Sequence, residues 1–330
     1  MATDEMNSRN STIDGWIKST VERSQQAIRL KQLYELQAEF LFNQYEPVKA
    51  SPIEAGASFI HRLDRWIGEF DTAEDQWSAF HSLRYFFFVG QQETDELYRC
   101  AVQNKLLPWV ADLAGLDIFS QNFPKLLNNE IKHAWPCPVT DSLRINSLLH
   151  RTDLNGQSLR PDWLSLKQLG EHEKIQCYAK KHDLRYLALF EDFVGSGSQC
   201  ERATKFALDT FSGSILLVPL VVCHPGDEIL RALAKASQGR LTYNPVVVLS
   251  ADCLIREIPS QAEPSSFSSL RLAMQNGHKK GQFSDNPYGY DGVGSLASSY
   301  SNCPNNAPPI FHATTKTWPF PLFPRKKRVG

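Results

Sequence analysis

Apolar residues recur at three- and four-residue steps from Ile13 to Tyr45, at Ile17, Val21, Ile28, Leu33, Leu36 and Phe40. That periodicity predicts an amphipathic helix, stopped by Pro47. Ser51-Pro52-Ile53-Glu54 then offers an N-cap, a proline suited to the first helical position and a glutamate to close a capping box. The helix opened there is expected to run through Phe59, Leu63 and Trp66 to about Phe70. Another is expected from Thr72 through Trp77, Phe80 and Tyr85, and a fourth from Thr94 to Leu113, kinked or broken at Pro108.

After Ala134 the pattern changes. Continuous apolar runs at Leu184–Phe190, Ile215–Cys223 and Leu241–Ser250 alternate with helical periodicity at Glu201–Thr210 and Asp227–Ser237. Strand and helix in alternation predict a parallel sheet with crossover helices, and unbroken apolar runs predict strands covered on both faces. From Ala262 to Pro309 the chain is rich in Ser, Asn, Gly and Pro. An irregular closing lobe is expected there, anchored by Tyr288, Tyr290, Tyr300, Ile310 and Phe311. The texture divides the chain into a helical region at 1–114, an α/β domain with its lobe at 115–320, and a basic tail at 321–330.

A chain of 330 residues, 42% hydrophobic and 22% charged, has the composition of an ordinary folded protein with room for two compact units. A net charge of −1 argues against a protein coated with phosphate-binding groups. The one dense basic run, Arg325-Lys326-Lys327-Arg328, reads as a solvated tail. Seven scattered cysteines, with no CxxC pair, fit free thiols rather than zinc or a disulfide framework. The first residues do not resemble a signal peptide and no apolar run could cross a bilayer, so a cytoplasmic protein without a membrane partner is expected.

The chemistry concentrates at Leu187-Ala188-Leu189-Phe190-Glu191-Asp192-Phe193-Val194-Gly195-Ser196-Gly197-Ser198-Gln199. A buried strand is expected to end at two adjacent carboxylates, followed by a small-residue loop and a helix opening at about Cys200. In open α/β sheets ligands sit beyond the carboxyl ends of the strands. Gly195 and Gly197 let backbone N–H groups approach an anion, Ser196 and Ser198 add hydroxyl donors, and the helix N-terminus adds partial positive charge. The carboxylates suit sugar hydroxyls or Mg²⁺. A flexible turn is the plainer reading of the same loop.

This segment resembles the phosphoribosyltransferases, which carry four apolar residues, two acidic ones, two more apolar ones and a Thr/Gly loop that binds phosphoribosyl pyrophosphate (PRPP). Gly195 and Ser198 replace a hydroxyl residue and a second glycine of that pattern, and Gln199 stands where threonine is usual. Together with Pro136-Cys137-Pro138-Val139-Thr140-Asp141-Ser142-Leu143-Arg144-Ile145-Asn146 and Asn302-Cys303-Pro304-Asn305-Asn306-Ala307-Pro308-Pro309-Ile310-Phe311, it resembles the phosphoribosyltransferase-like domain of prokaryotic conflict systems, PRTase-CE, over roughly residues 115–320.

The resemblance implies a phosphoribosyltransferase-like, mainly parallel sheet with flanking helices. It also implies an effector of a retron-like antiviral system. That effector would transfer a phosphoribosyl group from PRPP, or cleave the N-glycosidic bond of a nucleotide. Glu191 and Asp192 are then the expected catalytic residues and Mg²⁺ ligands, with Gly195 to Gln199 around the 5′-phosphate. Arg144, with Asp141 and Ser142 in the same turn, is expected to meet the pyrophosphate, and Asn305 and Asn306 a base or acceptor.

Other readings stand beside these: Thr140 or Asp141 capping a helix, and Asn305-Asn306 as a turn between prolines. Tyr288-Gly289-Tyr290-Asp291-Gly292 could stack a base or anchor a turn. His61 and His81 read as core or interface groups, whereas His224 falls near the expected site. At the level of the protein the alternatives are a non-catalytic sensor of PRPP or a nucleotide, and an interaction subunit. The latter would have its helical region engage a reverse transcriptase and its DNA–RNA product.

Overall fold

The structure is a computed structural model, and it describes residues 12–18, 21–49, 57–154 and 156–326. The expected capping box at Ser51–Glu54 lies outside the described residues, as does the end of the basic tail. The strands are β1 (Phe87–Val89), β2 (Ala134–Pro138), β3 (Tyr186–Val194), β4 (Ser214–Cys223), β5 (Leu241–Tyr243), β6 (Val247–Leu249) and β7 (Ala297–Ser299). The chain forms two compact units, one of residues 92–250 and one of residues 1–91 with 251–330. These units cut across the boundaries drawn from texture, because the closing lobe joins the core of the first helices.

The 92–250 unit is a parallel sheet in the order β2-β3-β4-β5, with β6 also pairing with β4. Residues alternate between its two faces. Leu187, Leu189, Ile215 and Leu217 pack under the helices that carry Trp163, Ile175 and Ala203. Ala188, Phe190, Leu216 and Val218 pack against Val102, Trp109 and Leu148 on the other face. Burial on both faces explains the unbroken apolar runs. β2, at the edge, contains Pro136 and Pro138, and an edge strand tolerates prolines because it need not donate to a further neighbour. Its prolines kept it from reading as a strand.

Three further departures have local causes. The run Leu241–Ser250 is two short strands, since Pro245, which lacks an N–H, interrupts the ladder between them. Helix Gln91–Arg99 continues through a π-helical segment, Cys100–Leu106, into helix Leu107–Leu113. The wide turn takes up Pro108, which lacks an N–H, so the expected break does not occur. β3 extends past Phe190 to Val194 and therefore includes both carboxylates.

In the other unit the expected first helix is two, Thr12–Ile17 and Val21–Phe40. Helix Phe59–Ile67 is capped by Ser58 and helix Ala73–Ser82 by Thr72, whose side chain accepts from Asp75 N. The lobe expected to be irregular holds a fifteen-residue helix, Phe267–Gly281, and β7, which pairs in parallel with β1. Trp66, Phe70, Phe311, Trp318, Leu322 and Phe323 share one core. Residues 321–323 thus begin inside the core rather than in a tail. Trp66 Nε1 donates to the carbonyl of Ile310 at 2.8 Å, as does Trp318 Nε1 at 3.1 Å. Among the described residues no helix is long and apolar enough to cross a membrane.

Candidate active site at the ends of β2, β3 and β4

The parallel register of β2 and β3 aligns Pro138 with Phe190, and Val139 N still donates to Phe190 O at 2.8 Å. The next residues on each chain are therefore neighbours, which brings Thr140–Ser142 against Glu191 and Asp192. Glu191 is buried, and its carboxylate accepts from Thr140 N (2.9 Å), Thr140 Oγ1 (2.6 Å) and Ser142 Oγ (3.1 Å). Asp192, half-buried, accepts from Ser142 Oγ at 2.7 Å and from Phe193 N at 2.9 Å.

Burial, followed by the charge of Asp192, raises the Glu191 pKa from 4.5 to about 8, against the opposing hydrogen bonds from Thr140 and Ser142. The hydroxyl contacts agree with that direction. Thr140 Oγ1 lies 2.6 Å from both Glu191 Oε1 and Ser142 Oγ, and Ser142 Oγ lies 2.7 Å from Asp192 Oδ1. Two hydroxyl hydrogens cannot fill three such short contacts, and a proton shared by the Glu191–Asp192 pair supplies the third. Cys200 is buried beside this group, and burial and the Glu191 charge push its thiol well up.

The capping alternative for Thr140 and Asp141 does not occur. Arg144 holds the N-cap position of helix Ile145–Arg151, without a side-chain cap, and the Thr140 hydroxyl is turned to Glu191. Asp141 and Arg144 are both exposed.

After β3, Gly195–Gly197 forms the loop and helix Ser198–Thr210 opens two residues earlier than expected. Gly197 is its N-cap, at φ +85°, a left-handed conformation that glycine adopts without steric cost. Ser196 Oγ and Ser198 Oγ are 3.1 Å apart, and Gln199 is exposed on the first turn. The loop lies directly on Gly226, in the first turn of helix His224–Ala236 after β4. A Cβ on Gly226 would come within 2.7 Å of Gly195 O and 3.2 Å of Gly197 N. Two helix N-termini therefore meet across a glycine contact, so their partial positive charges add at the loop.

Gly226 escaped the sequence reading, which weighed glycines only within the acidic-pair segment. Asp227, beside it, accepts from Tyr243 OH at 2.9 Å and Arg231 Nε at 2.7 Å. His224 is exposed, 3.7 Å from Glu228.

Asn305 and Asn306 belong to the other unit. There Asn305 O accepts from Tyr290 N at 2.8 Å, and Asn306 Nδ2 donates to Tyr290 O at 3.2 Å. They brace the Tyr288–Gly292 turn, in which Tyr288 is buried and receives Gln275 Nε2 at 3.0 Å. Among the described residues no group of three or more His, Cys, Asp or Glu side chains could hold a metal ion.

The family model PRTase-CE matches residues 63–325, four-fifths of the chain and well beyond the stretch that resembled it in sequence. No curated protein and no solved structure matches. A parallel sheet with helices on both faces, an acidic pair at the end of β3 and a glycine loop capping the next helix are what a phosphoribosyltransferase-like domain requires, and the chain belongs to the PRTase-CE family.

Proposed function

We propose that this protein binds the ribose 5-phosphate part of PRPP or of a nucleotide at the end of β3. There it transfers the phosphoribosyl group to an acceptor or cleaves an N-glycosidic bond. The observation that carries this reading is the glycine-to-glycine contact between the Gly195–Ser198 loop and Gly226. It brings the N-termini of two helices together at the small-residue loop that follows the acidic pair.

In this reading the loop holds the 5′-phosphate and Asp192 accepts from a ribose hydroxyl. The bond from C1′ to the leaving pyrophosphate or base breaks with its electron pair on the leaving group, through an oxocarbenium-like state, and a nucleophile closes on C1′. The chain's share of the work is to orient the sugar and to meet negative charge with fixed dipoles, so no side-chain nucleophile is needed.

Magnesium takes six oxygens, usually from one or two carboxylates, substrate phosphates and water. Asp192 fits that demand. Glu191 does not, since it is buried with both oxygens accepting from Thr140 and Ser142, whereas Asp192 is half-buried. Bound at Asp192, the ion would offset charge on a departing pyrophosphate. We extend the reading, on the sequence resemblance, to an effector of antiviral defence of the retron type.

The burial of Glu191 favours a second reading, a sensor that holds PRPP or a nucleotide without turnover and gates a partner, because it withdraws one of the two expected carboxylates from the ligand. Calorimetric titration with PRPP and Mg²⁺, wild type beside Asp192→Asn and Gly197→Trp, tests the site. Binding that both substitutions abolish supports it, and no binding by the folded wild type removes it. Release of pyrophosphate or base from the bound ligand then separates enzyme from sensor.

A further inference from the structure

Helix Val21–Phe40 is held on one side and open on the other. Ala27, Tyr34 and Ala38 are buried, Tyr34 OH donates to Phe80 O at 2.8 Å, and Arg23 and Lys31 pair with Glu74 and Asp14 at 3.1 Å each. The opposite face carries Gln26, Arg29, Leu33, Leu36 and Phe40 at steps of three, four, three and four, the spacing of a coiled-coil seam. Leu36 and Phe40 are 55% and 62% exposed. The helix lies before residue 63, where the PRTase-CE match begins.

The charges along the seam choose the occupant. Arg29 stands at one end, and Phe40, with the exposed Glu39 beside it, at the other. A parallel copy would set Arg29 against Arg29. An antiparallel copy sets Leu33 against Leu36, and Arg29 against the face of Phe40 with Glu39 alongside. Apolar contact, a cation–π contact and opposite charges then occur twice, by two-fold symmetry.

We propose that this helix pairs with the same helix of a second copy of the chain, antiparallel about a two-fold axis between Leu33 and Leu36. A helix of 20 residues is about 30 Å long. One such pair falls below the roughly 1,200–2,000 Å² of a stable interface, so the dimer is weak and concentration-dependent.

Sedimentation equilibrium of the full chain from about 1 to 100 μM, a range that brackets weak association, tests the pairing. The expected result is a rise from monomer to dimer mass that Leu36→Glu abolishes. Arg29→Glu and Glu39→Arg each weaken the dimer about tenfold and restore it when combined, because the swapped charges face each other again. Three results overturn the proposal: a monomer at every concentration, which would leave the face to another occupant, a dimer that survives Leu36→Glu, or a double charge swap no tighter than the single ones.

Discussion

The hydroxyl of Thr140 lies 2.6 Å from Oε1 of Glu191, a contact between residues 51 positions apart that ties the end of β2 to the end of β3. It exists because the β2–β3 register puts Pro138 opposite Phe190, so the chain leaving each strand meets the other. Thr140→Val keeps the side-chain shape and removes the hydroxyl. A buried carboxyl that loses a donor costs about 1–3 kcal/mol. Denaturant titration should show a lower midpoint at unchanged slope, and a midpoint equal to that of the wild type would remove Glu191 from the accounting of stability.

The same group makes stability depend on pH. Glu191 titrates near 4.5 when unfolded and at about 8 when folded, raised first by burial and then by Asp192. Between those values the folded chain holds more protons than the unfolded one, so this contribution is full below 4.5 and is lost as pH rises through about 8. Glu191→Gln, which cannot ionise, should flatten the decline and exceed the wild type in stability at the alkaline end, by on the order of a few kcal/mol. Parallel wild-type and variant curves from pH 5 to 9 would show that Glu191 is ionised in the folded state.

Gly226 supports the loop by having no side chain. A Cβ there would stand 2.7 Å from Gly195 O, a backbone atom that cannot swing aside. Gly226→Ala should therefore cost about 1–3 kcal/mol through overpacking. It should also weaken PRPP binding, because the backbone N–H groups of Gly195–Ser198 shift with the loop. Retained binding at wild-type affinity would mean that the phosphate is held elsewhere.

Much of the sheet unit was legible because its signals are local. A strand buried on both faces reads as an apolar run: Leu184–Phe190 is offset from β3 by two residues at its start and four at its end, and Ile215–Cys223 matches β4 to within one residue. β2 was hidden by Pro136 and Pro138, which are strand-breaking everywhere except at an edge, and being an edge is a property of the assembled sheet. The acidic pair and the loop were found from their order in the chain. Ser142 was read as a neighbour of the pyrophosphate and Thr140 as a helix cap rather than as donors to Glu191, and Gly226 was not seen at all, since which loop ends meet depends on register.

The burial of Glu191 is of the same kind. An acid at a strand end reads as solvent-facing until a neighbouring strand supplies donors. The closing lobe misled for a different reason: its Gly, Ser and Pro content is real, but Phe267, Leu270 and Met274 have a helical period within it and pack on the N-terminal helices.

The last of these packings carries the sharpest stability test. Phe323 stacks on Phe86 with ring centroids 4.8 Å apart, lies 5.3 Å from Tyr45 and 5.9 Å from Phe59, and is fully buried. Its carbonyl faces Tyr45 OH at 3.2 Å, and its N–H donates to Phe311 O at 2.8 Å, so backbone and ring are both fixed in the aromatic cluster. Phe323→Ala removes the ring and leaves a cavity among buried aromatic side chains, a change that costs about 3–5 kcal/mol. A solvated tail would lose nothing. The expected outcome is a melting temperature several degrees lower, with near-ultraviolet dichroism of the aromatic cluster diminished before global unfolding. Conservative Phe323→Leu should recover part of the loss, because it restores apolar volume but not the stacked face on Phe86.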